Sequence, residues 1–277
     1  MDTSPWADLR IVPADSIRPH EIADPARERR IEARLQTDGI LRDPLMVGSL
    51  PDLAGFVLLD GTNRRLALAA LGIPWVLTQV IQYADERAVQ LRTWGHAVTL
   101  PYEQILECAQ AIPGTSLIQL SPLAAGDALR TPGTLAVLLG AAEMFALSRS
   151  PGQEPSRAEQ LRQLVDSYQD RMTRVDCDAD TVEERAAALT GGPNHRALVA
   201  FPPFSRSQVV TMALRESLIP AGITRHVILG GRALRVNLPL DLLLYASTRD
   251  EADAALQHHL QGLQPRFYRE STILFDS

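Results

Sequence analysis

The chain contains no lysine: all 27 residues counted as Lys or Arg are arginine. That absence excludes several enzyme classes. A Walker A loop needs a lysine on its nucleotide phosphates, and a protein-kinase fold needs one on a strand. Pyridoxal phosphate needs a lysine to form its Schiff base. Any phosphate bound here is held by arginine, backbone amides, a helix end or a metal ion. Base composition of the genome accounts for the missing lysine without appeal to function, and the exclusions hold either way.

Other features are scarce as well. There are two cysteines, Cys108 and Cys177, far apart and without metal-ligand spacing. They read as ordinary thiols in a reducing compartment. No apolar run reaches the length of a membrane span. The opening MDTSPWADLR lacks the basic-then-apolar pattern of a secretory signal, so a cytoplasmic location is expected. The net charge of −6 argues against DNA binding by bulk charge. No internal repeat or low-complexity tract appears.

What remains is a soluble globular composition, 45% hydrophobic and 22% charged over 277 residues. The first ninety-odd residues read β-α-β-β-α-β. LRIVP is a short strand. Asp24 is a good N-cap, Pro25 suits the first helical position, and Gly39 suits the stop. DPLMVGS and FVLLD are strands, RRLALAALG is a helix closed at Gly72, and WVLTQVIQY is a strand. Past Asp85 the pattern changes. DERAVQLRTWGHAV reads as a helix or an irregular link, and PYEQILECAQAI as a helix. ALRTPGTLAVLLGAAEMFALS reads as three strands joined by turns. SRSPGQEPS is a polar loop, SRAEQLRQLVDSYQDRM an amphipathic helix, and ALVAFPPF a strand. SRSQVVTMALRESLI is a helix capped by Ser205. GITRHVI and RALRVNLPLDLLL are strand-like, EADAALQHHLQGL is a helix, and RFYRESTILFDS is a tail. The expected organisation is α/β (α+β), with a small N-terminal domain over 1–95 and a larger α/β C-terminal domain over 96–277.

The segment LDGTNRR at a strand-to-helix corner is the most informative. Helix N-terminal amides and the macrodipole attract anions. Gly61 lets the backbone turn tightly around a ligand. Thr62 and Asn63 can donate to phosphate oxygens, and Arg64 supplies a forked cationic donor. Asp60 would repel a phosphate unless it holds Mg²⁺ bridged to that phosphate or takes a proton. The same residues also read as plain turn formers beside a solvated Arg65. Three more polar groups stand out. His20 and Glu21 precede the first helix, where Glu21 reads either as a general base or as a helix-flanking surface acid. Trp94 and His96 lie in RTWGHAV. Thr224, Arg225 and His226 are adjacent; on a strand, Thr224 and His226 share one face and Arg225 takes the other.

In this order PHE, DPLMV, LLDGTNRRLALAALGIP, TW-x-H, PAGITRH and RALRVNLPL resemble the ParB/sulfiredoxin fold, and within it the free L-serine kinases. The resemblance spans most of the chain outside about 114–160. It implies that 1–95 is a ParB/sulfiredoxin-like nucleotide-binding domain and 96–277 a substrate-specificity domain, and it implies transfer of a phosphoryl group from ATP or ADP to the hydroxyl of L-serine, with Mg²⁺. It implies Glu21 as the catalytic base and Asp60 as a catalytic acid residue and metal ligand. Gly61, Thr62, Asn63 and Arg64 correspond to the phosphate-binding turn. Trp94, Thr224, Arg225 and His226 correspond to positions around the amino-acid substrate. Archaeal members tend toward DG-H-H-R where this chain has DG-T-N-R, which leaves the choice of ADP or ATP open. The turn has no cysteine, so sulfinic-acid reduction is excluded. No helix-turn-helix follows, so DNA partition is not expected. A nucleotide- or ligand-sensing regulator on the same fold is the alternative reading.

Overall fold

The computed structural model describes residues 7–121, 123–150, 155–190 and 196–267. The expectations for MDTSPW, for residues 151–154 of the polar loop and for the tail from 268 onward lie outside the described residues.

The chain separates into two compact units. The first takes the described residues of Met1–Pro19, Ala23–Gln90 and Val227–Ser277, and the second takes His20–Ile22 and Leu91–His226. The expected boundary at 95/96 cuts the chain once, whereas the contacts interleave it. The chain begins with β1 (Leu9–Pro13), β2 (Ile17–Arg18), α1 (Pro25–Asp38), β3 (Ile40–Leu41) and β4 (Leu45–Ser49). It continues through β5 (Phe56–Asp60), α2 (Thr62–Ala70) and β6 (Trp75–Gln82). Next come β7 (Val89–Val98), α3 (Tyr102–Gln110), β8 (Thr115–Gln119), α4 (Ala125–Arg130), β9 (Thr134–Leu139) and β10 (Met144–Arg149). Then follow α5 (Arg157–Asp166), β11 (Met172–Asp176), α6 (Val182–Thr190), β12 (Ala197–Ala200), α7 (Arg206–Arg215) and β13 (Thr224–Ile228). The last elements are β14 (Leu238–Pro239), α8 (Asp241–Leu244) and α9 (Arg249–Gln261).

The first unit holds a mixed five-stranded sheet in the order β1-β6-β4-β5-β2, and β14 pairs with β3 beside it. Helix α1 forms where the caps predict. Asp24 Oδ1 accepts the amides of Ala26 and Arg27, Pro25 sits in the first turn, and Gly39 stops α1 at φ +64°. The core explains why the C-terminal segment returns to this unit. Leu238, Leu243 and Leu256 are buried in one cluster with Ile11, Leu45, Leu58 and Leu77. Each such side chain removed from water contributes about 1.5–3 kcal/mol. Polar ties add direction: Asp253 Oδ1 accepts Ile11 N at 3.0 Å, and Gln79 donates to Gly231 O and accepts from Ala233 N.

The second unit is built on an antiparallel sheet in the order β11-β7-β12-β9-β10-β8, with β13 also on β7. Its cluster packs Leu129, Val137, Leu139, Val182 and Leu198 together. Three expectations change along the chain. The stretch read as helix or link contains β7, because Val89, Leu91, Thr93 and Gly95 alternate with the more exposed Gln90, Arg92 and Trp94 at a strand's period of two. Gly95 is required for packing: a Cβ there would lie 2.8 Å from Cys177 Cβ. Residues Ala128–Arg130, read as strand, close helix α4 instead. The reading of RALRVNLPLDLLL as a strand shrinks to Leu238–Pro239, since Arg235 and Asn237 adopt φ +56° and +52° and break the extension.

Candidate active site

The predicted residues fall into two sets, one in each unit. The first set surrounds the end of β5 and the start of α2. Gly61 is the N-cap of α2 at φ +108°, and no side chain caps the helix. Its first-turn amides, from Thr62 to Arg64, therefore have no intrahelical partner. A Cβ at Gly61 would sit 3.0 Å from Leu45 Cγ and 3.2 Å from Arg64 Nη2. The bare backbone lets Arg64 fold back over the turn. Its Nη1 donates to the carbonyls of Asp43 and Pro44, both at 2.9 Å. Its Nη2 lies 3.6 Å from Asp60 Oδ2. Arg64 is thus partly engaged in holding the turn. Asn63 Oδ1 accepts the amide of Asp24 at 2.8 Å, which ties the start of α2 to the start of α1.

Asp60 has a second cationic neighbour that sequence reasoning did not single out. Arg232 Nη1 donates to Asp60 Oδ2 at 2.6 Å. Burial pushes the Asp60 carboxyl up, but the charges of Arg64 and Arg232 and the Arg232 hydrogen bond outweigh it and hold it below the ordinary aspartate value. The signal for Arg232 was present in GGRALR, within a stretch that carries the family resemblance. Among the described residues no group of three or more His, Cys, Asp or Glu side chains is placed to hold a metal ion. A lone carboxylate such as Asp60 fits Mg²⁺ as one ligand among phosphate oxygens and waters, the manner in which this ion is commonly bound.

The second set surrounds Glu21. A single parallel bridge joins Glu21 to Ile219, with Ile22 N donating to Ile219 O and Ile219 N donating to His20 O. This places the carboxylate against the segment leading into β13. Thr224 Oγ1 donates to Glu21 Oε1 at 2.5 Å, and Thr224 N donates to the same oxygen at 3.1 Å. Gly222 N donates to Oε2 at 3.2 Å. A carboxylate oxygen accepts about two hydrogen bonds. Oε1 is therefore filled, and with the donors among the described residues Oε2 keeps one lone pair for another donor. The Glu21 side chain is 14% exposed, so that position is reachable. His20 Nε2 lies 2.8 Å from Thr224 Oγ1. The threonine's one hydroxyl proton goes to Glu21, so His20 carries the proton on Nε2 and donates it to the threonine.

Strand geometry divides the Thr224–His226 group. Thr224 and His226 are buried, and the His226 ring meets the His20 ring edge-on at 5.5 Å. Arg225 lies on the other face, as strand alternation requires. Its guanidinium stacks 4.3 Å over the Trp94 ring and pairs with Asp176. Asp176 belongs to a further charged row, since Arg92 Nη2 bonds Asp178 Oδ2 at 2.7 Å and its Nη1 lies 3.9 Å from Asp176. The structure thus joins Glu21, His20, Thr224 and His226 in one cluster, and Trp94 and Arg225 in another. Gly222 and Asp176 were not foreseen. Gly222 lies two residues before Thr224 in PAGITRH, while Asp176 becomes visible only once β11 pairs with β7. Cavities of about 290 and 460 Å³ lie in the second unit beside Arg157 and Glu159, with Ile219 lining one and Ile22 the other; none of the predicted site residues lines either.

No protein-family model matches the chain. It is 23% identical over 260 residues to the ATP-dependent L-serine kinase SbnI of Staphylococcus aureus, which covers 94% of this chain and 91% of that protein. It is 29% identical over 97 residues to the ATP-dependent L-serine kinase of Staphylothermus marinus, 35% of this chain and 38% of that protein. The solved structure of SbnI with C-terminal truncation from Staphylococcus aureus aligns at TM-score 0.69 and 21% identity, over 92% of this chain and 96% of that one. A free serine kinase in complex with AMP aligns at TM-score 0.71 and 16% identity, over 87% of this chain and 95% of that one. The resemblance to the free L-serine kinases carried by the motifs therefore holds over nearly the whole chain, and the fold is theirs.

Proposed function

We propose that this protein is a free L-serine kinase that transfers the γ-phosphoryl group of ATP to the serine hydroxyl, giving O-phospho-L-serine and ADP. One observation carries the reading: Glu21 is a reachable carboxylate with Oε1 filled by donors and a lone pair left on Oε2. The whole-length similarity to an ATP-dependent L-serine kinase supports it, and the names of both relatives favour ATP over ADP as donor.

In this reading the two sets serve the two reactants. The uncapped amides of α2, with Thr62 and Asn63 beside them, cradle the nucleotide phosphates, and Arg64 and Arg232 balance their charge. Mg²⁺, with Asp60 as a ligand, would supply charge neutralisation on the transferring group. Glu21 Oε2 accepts the hydroxyl proton of serine as the oxygen attacks phosphorus. A positioned base of this kind contributes about 10²–10⁴-fold. Trp94 and Arg225 present a guanidinium on an aromatic face, suited to the substrate carboxylate or to the phosphorylated product. Thr224 and His226 fix the acceptor side through Glu21 and His20. No helix among the described residues is long and apolar enough to cross a membrane; we assign the reaction to the cytoplasm.

The test is phosphorus NMR of the purified protein with L-serine and Mg²⁺, and with ATP or ADP in separate tubes. The expected result is O-phosphoserine in the ATP tube and none from Glu21→Ala. Nucleotide bound without turnover in either tube would overturn the kinase reading in favour of a ligand-sensing regulator.

A further inference from the structure

His96 is buried on β7 and takes no part in the chemistry proposed above, yet its ring is bonded at both nitrogens. Nε2 lies 2.9 Å from the carbonyl oxygen of Gly222, and Nδ1 lies 3.1 Å from the Tyr168 hydroxyl. A carbonyl only accepts, so Nε2 carries the proton. Nδ1 of the neutral ring then accepts from Tyr168. Burial keeps the ring neutral, with its pKa lowered to about 4. Phe201 packs edge-on against it at 4.9 Å and fixes its plane.

We infer that His96 is a positioning residue for Glu21, acting through the peptide groups of Gly222. The carbonyl of Gly222 is held by His96, and the amide of the same residue donates to Glu21 Oε2. That oxygen is the one with an acceptor site left for the substrate hydroxyl. The neighbouring residue is held from the same strand, since Trp94 N donates to Ile223 O at 2.9 Å. One stretch of β7 therefore grips two consecutive carbonyls, and the amides on either side, of Gly222 and Thr224, point at the carboxylate.

The shape of the segment favours glycine at 222. Gly222 sits at φ +83°, and a Cβ there would lie 2.0 Å from Arg174 Nε. Arg174 pairs with His96 in register across β11 and β7, and its Nη2 donates to Ala221 O at 3.3 Å. His96, Trp94 and Arg174 thus hold three successive carbonyls, those of residues 222, 223 and 221. The guanidinium of Arg174 also stays close enough to disfavour a charged imidazole.

This inference rests on the reading of Glu21 as the base, and its test separates the two. His96→Met keeps the bulk without the donor, and His96→Gln restores an N–H at the reach of Nε2. In His96→Met, kcat for phosphoserine formation should fall about tenfold or more, as sub-ångström misplacement of a reacting group does. KM for serine and ATP should stay within about twofold; a smaller folded fraction would also lower the apparent kcat at constant KM, so kcat is taken per folded enzyme, with the folded fraction read from the melting curve. His96→Gln should recover most of the rate. Amide NMR supplies a readout without turnover: the Gly222 signal should move in His96→Met and in Glu21→Gln alike, with distant amides unchanged. An unchanged kcat in His96→Met, or a kcat and melting temperature that fall together without rescue by His96→Gln, would overturn the inference. If His96→Met does not fold, Tyr168→Phe decides, through a several-fold loss of kcat at constant KM or its absence. If the wild type makes no phosphoserine, the kinase reading fails, and the Gly222 signal alone upholds or overturns the positioning role.

Discussion

Both candidate sites are organised around one carboxylate, and they hold it by opposite means. Asp60 is balanced by two guanidiniums, and its side chain is 43% exposed. Glu21 receives two main-chain amides and a hydroxyl and is 14% exposed. Charged side chains around a half-exposed acid suit a site that must trade partners when a charged ligand arrives. Neutral dipoles fixed by the backbone suit a group that must stay in one place while a proton moves. On the proposed reading, binding falls to the first and positioning for chemistry to the second.

The sharpest way to break that contrast is to remove the second carboxylate. Glu21→Gln keeps the size and replaces one acceptor oxygen with a donor. It should lower kcat about 10²–10⁴-fold with little change in KM for ATP. A rate within threefold of wild type would show that Glu21 is not the base. Next in size is Thr224→Val, which deletes the hydroxyl between His20 and Glu21. A hydrogen bond to a charged group is worth about 1.5–3 kcal/mol, so kcat should fall roughly 10- to 100-fold. Steady-state rates with ATP and serine varied separately would check both.

The two sites also differ in how readable they were. The Asp60 turn is five consecutive residues, and its logic is local: a strand end, a positive-φ glycine, an uncapped helix. A reader of LDGTNRR could find it. The Glu21 site gathers residues 20–21, 94–96, 168 and 222–226 through strand pairing, and sequence separation hides every bond but the motif residues themselves. Resemblance pointed to Glu21 and Thr224, but it did not disclose that Gly222 supplies an amide or that Arg225 turns away to Trp94 and Asp176. The same limit applies to the fold. Helices with their own caps, α1 and α7, were legible because Asp24, Gly39 and Ser205 act within a few residues. The return of the C-terminal leucines to the first unit was not, because burial among Ile11, Leu45 and Leu77 is a long-range fact.

A change in the first site should act on binding instead of rate. Arg232→Ala removes one of the two cations from Asp60 and from any phosphate bound at α2. KM for ATP should rise several-fold while kcat stays near wild type. Raising salt should mimic it in the wild type, since the Debye length shrinks from about 10 Å at 0.1 M to about 3 Å at 1 M. The kcat set by Glu21 should respond far less, because its donors carry no net charge. Equal salt sensitivity of kcat and KM would erase the distinction between the two carboxylates.

The smallest effect is on stability, and its sign follows from Asp60 alone. Its folded pKa is held below the ordinary value of 3.8 because Arg64 and Arg232 outweigh burial. A group with a depressed folded pKa contributes stability above its unfolded value, and that contribution is lost as pH falls through the folded one. The pairs are half-exposed, so solvent screens them and the increment is about 0.2–1 kcal/mol. Asp60→Asn should therefore be less stable than wild type by that amount near neutral pH, with the two denaturation curves converging as the pH drops below the folded value. A constant gap across that range would mean that Asp60 contributes by packing and not by its charge.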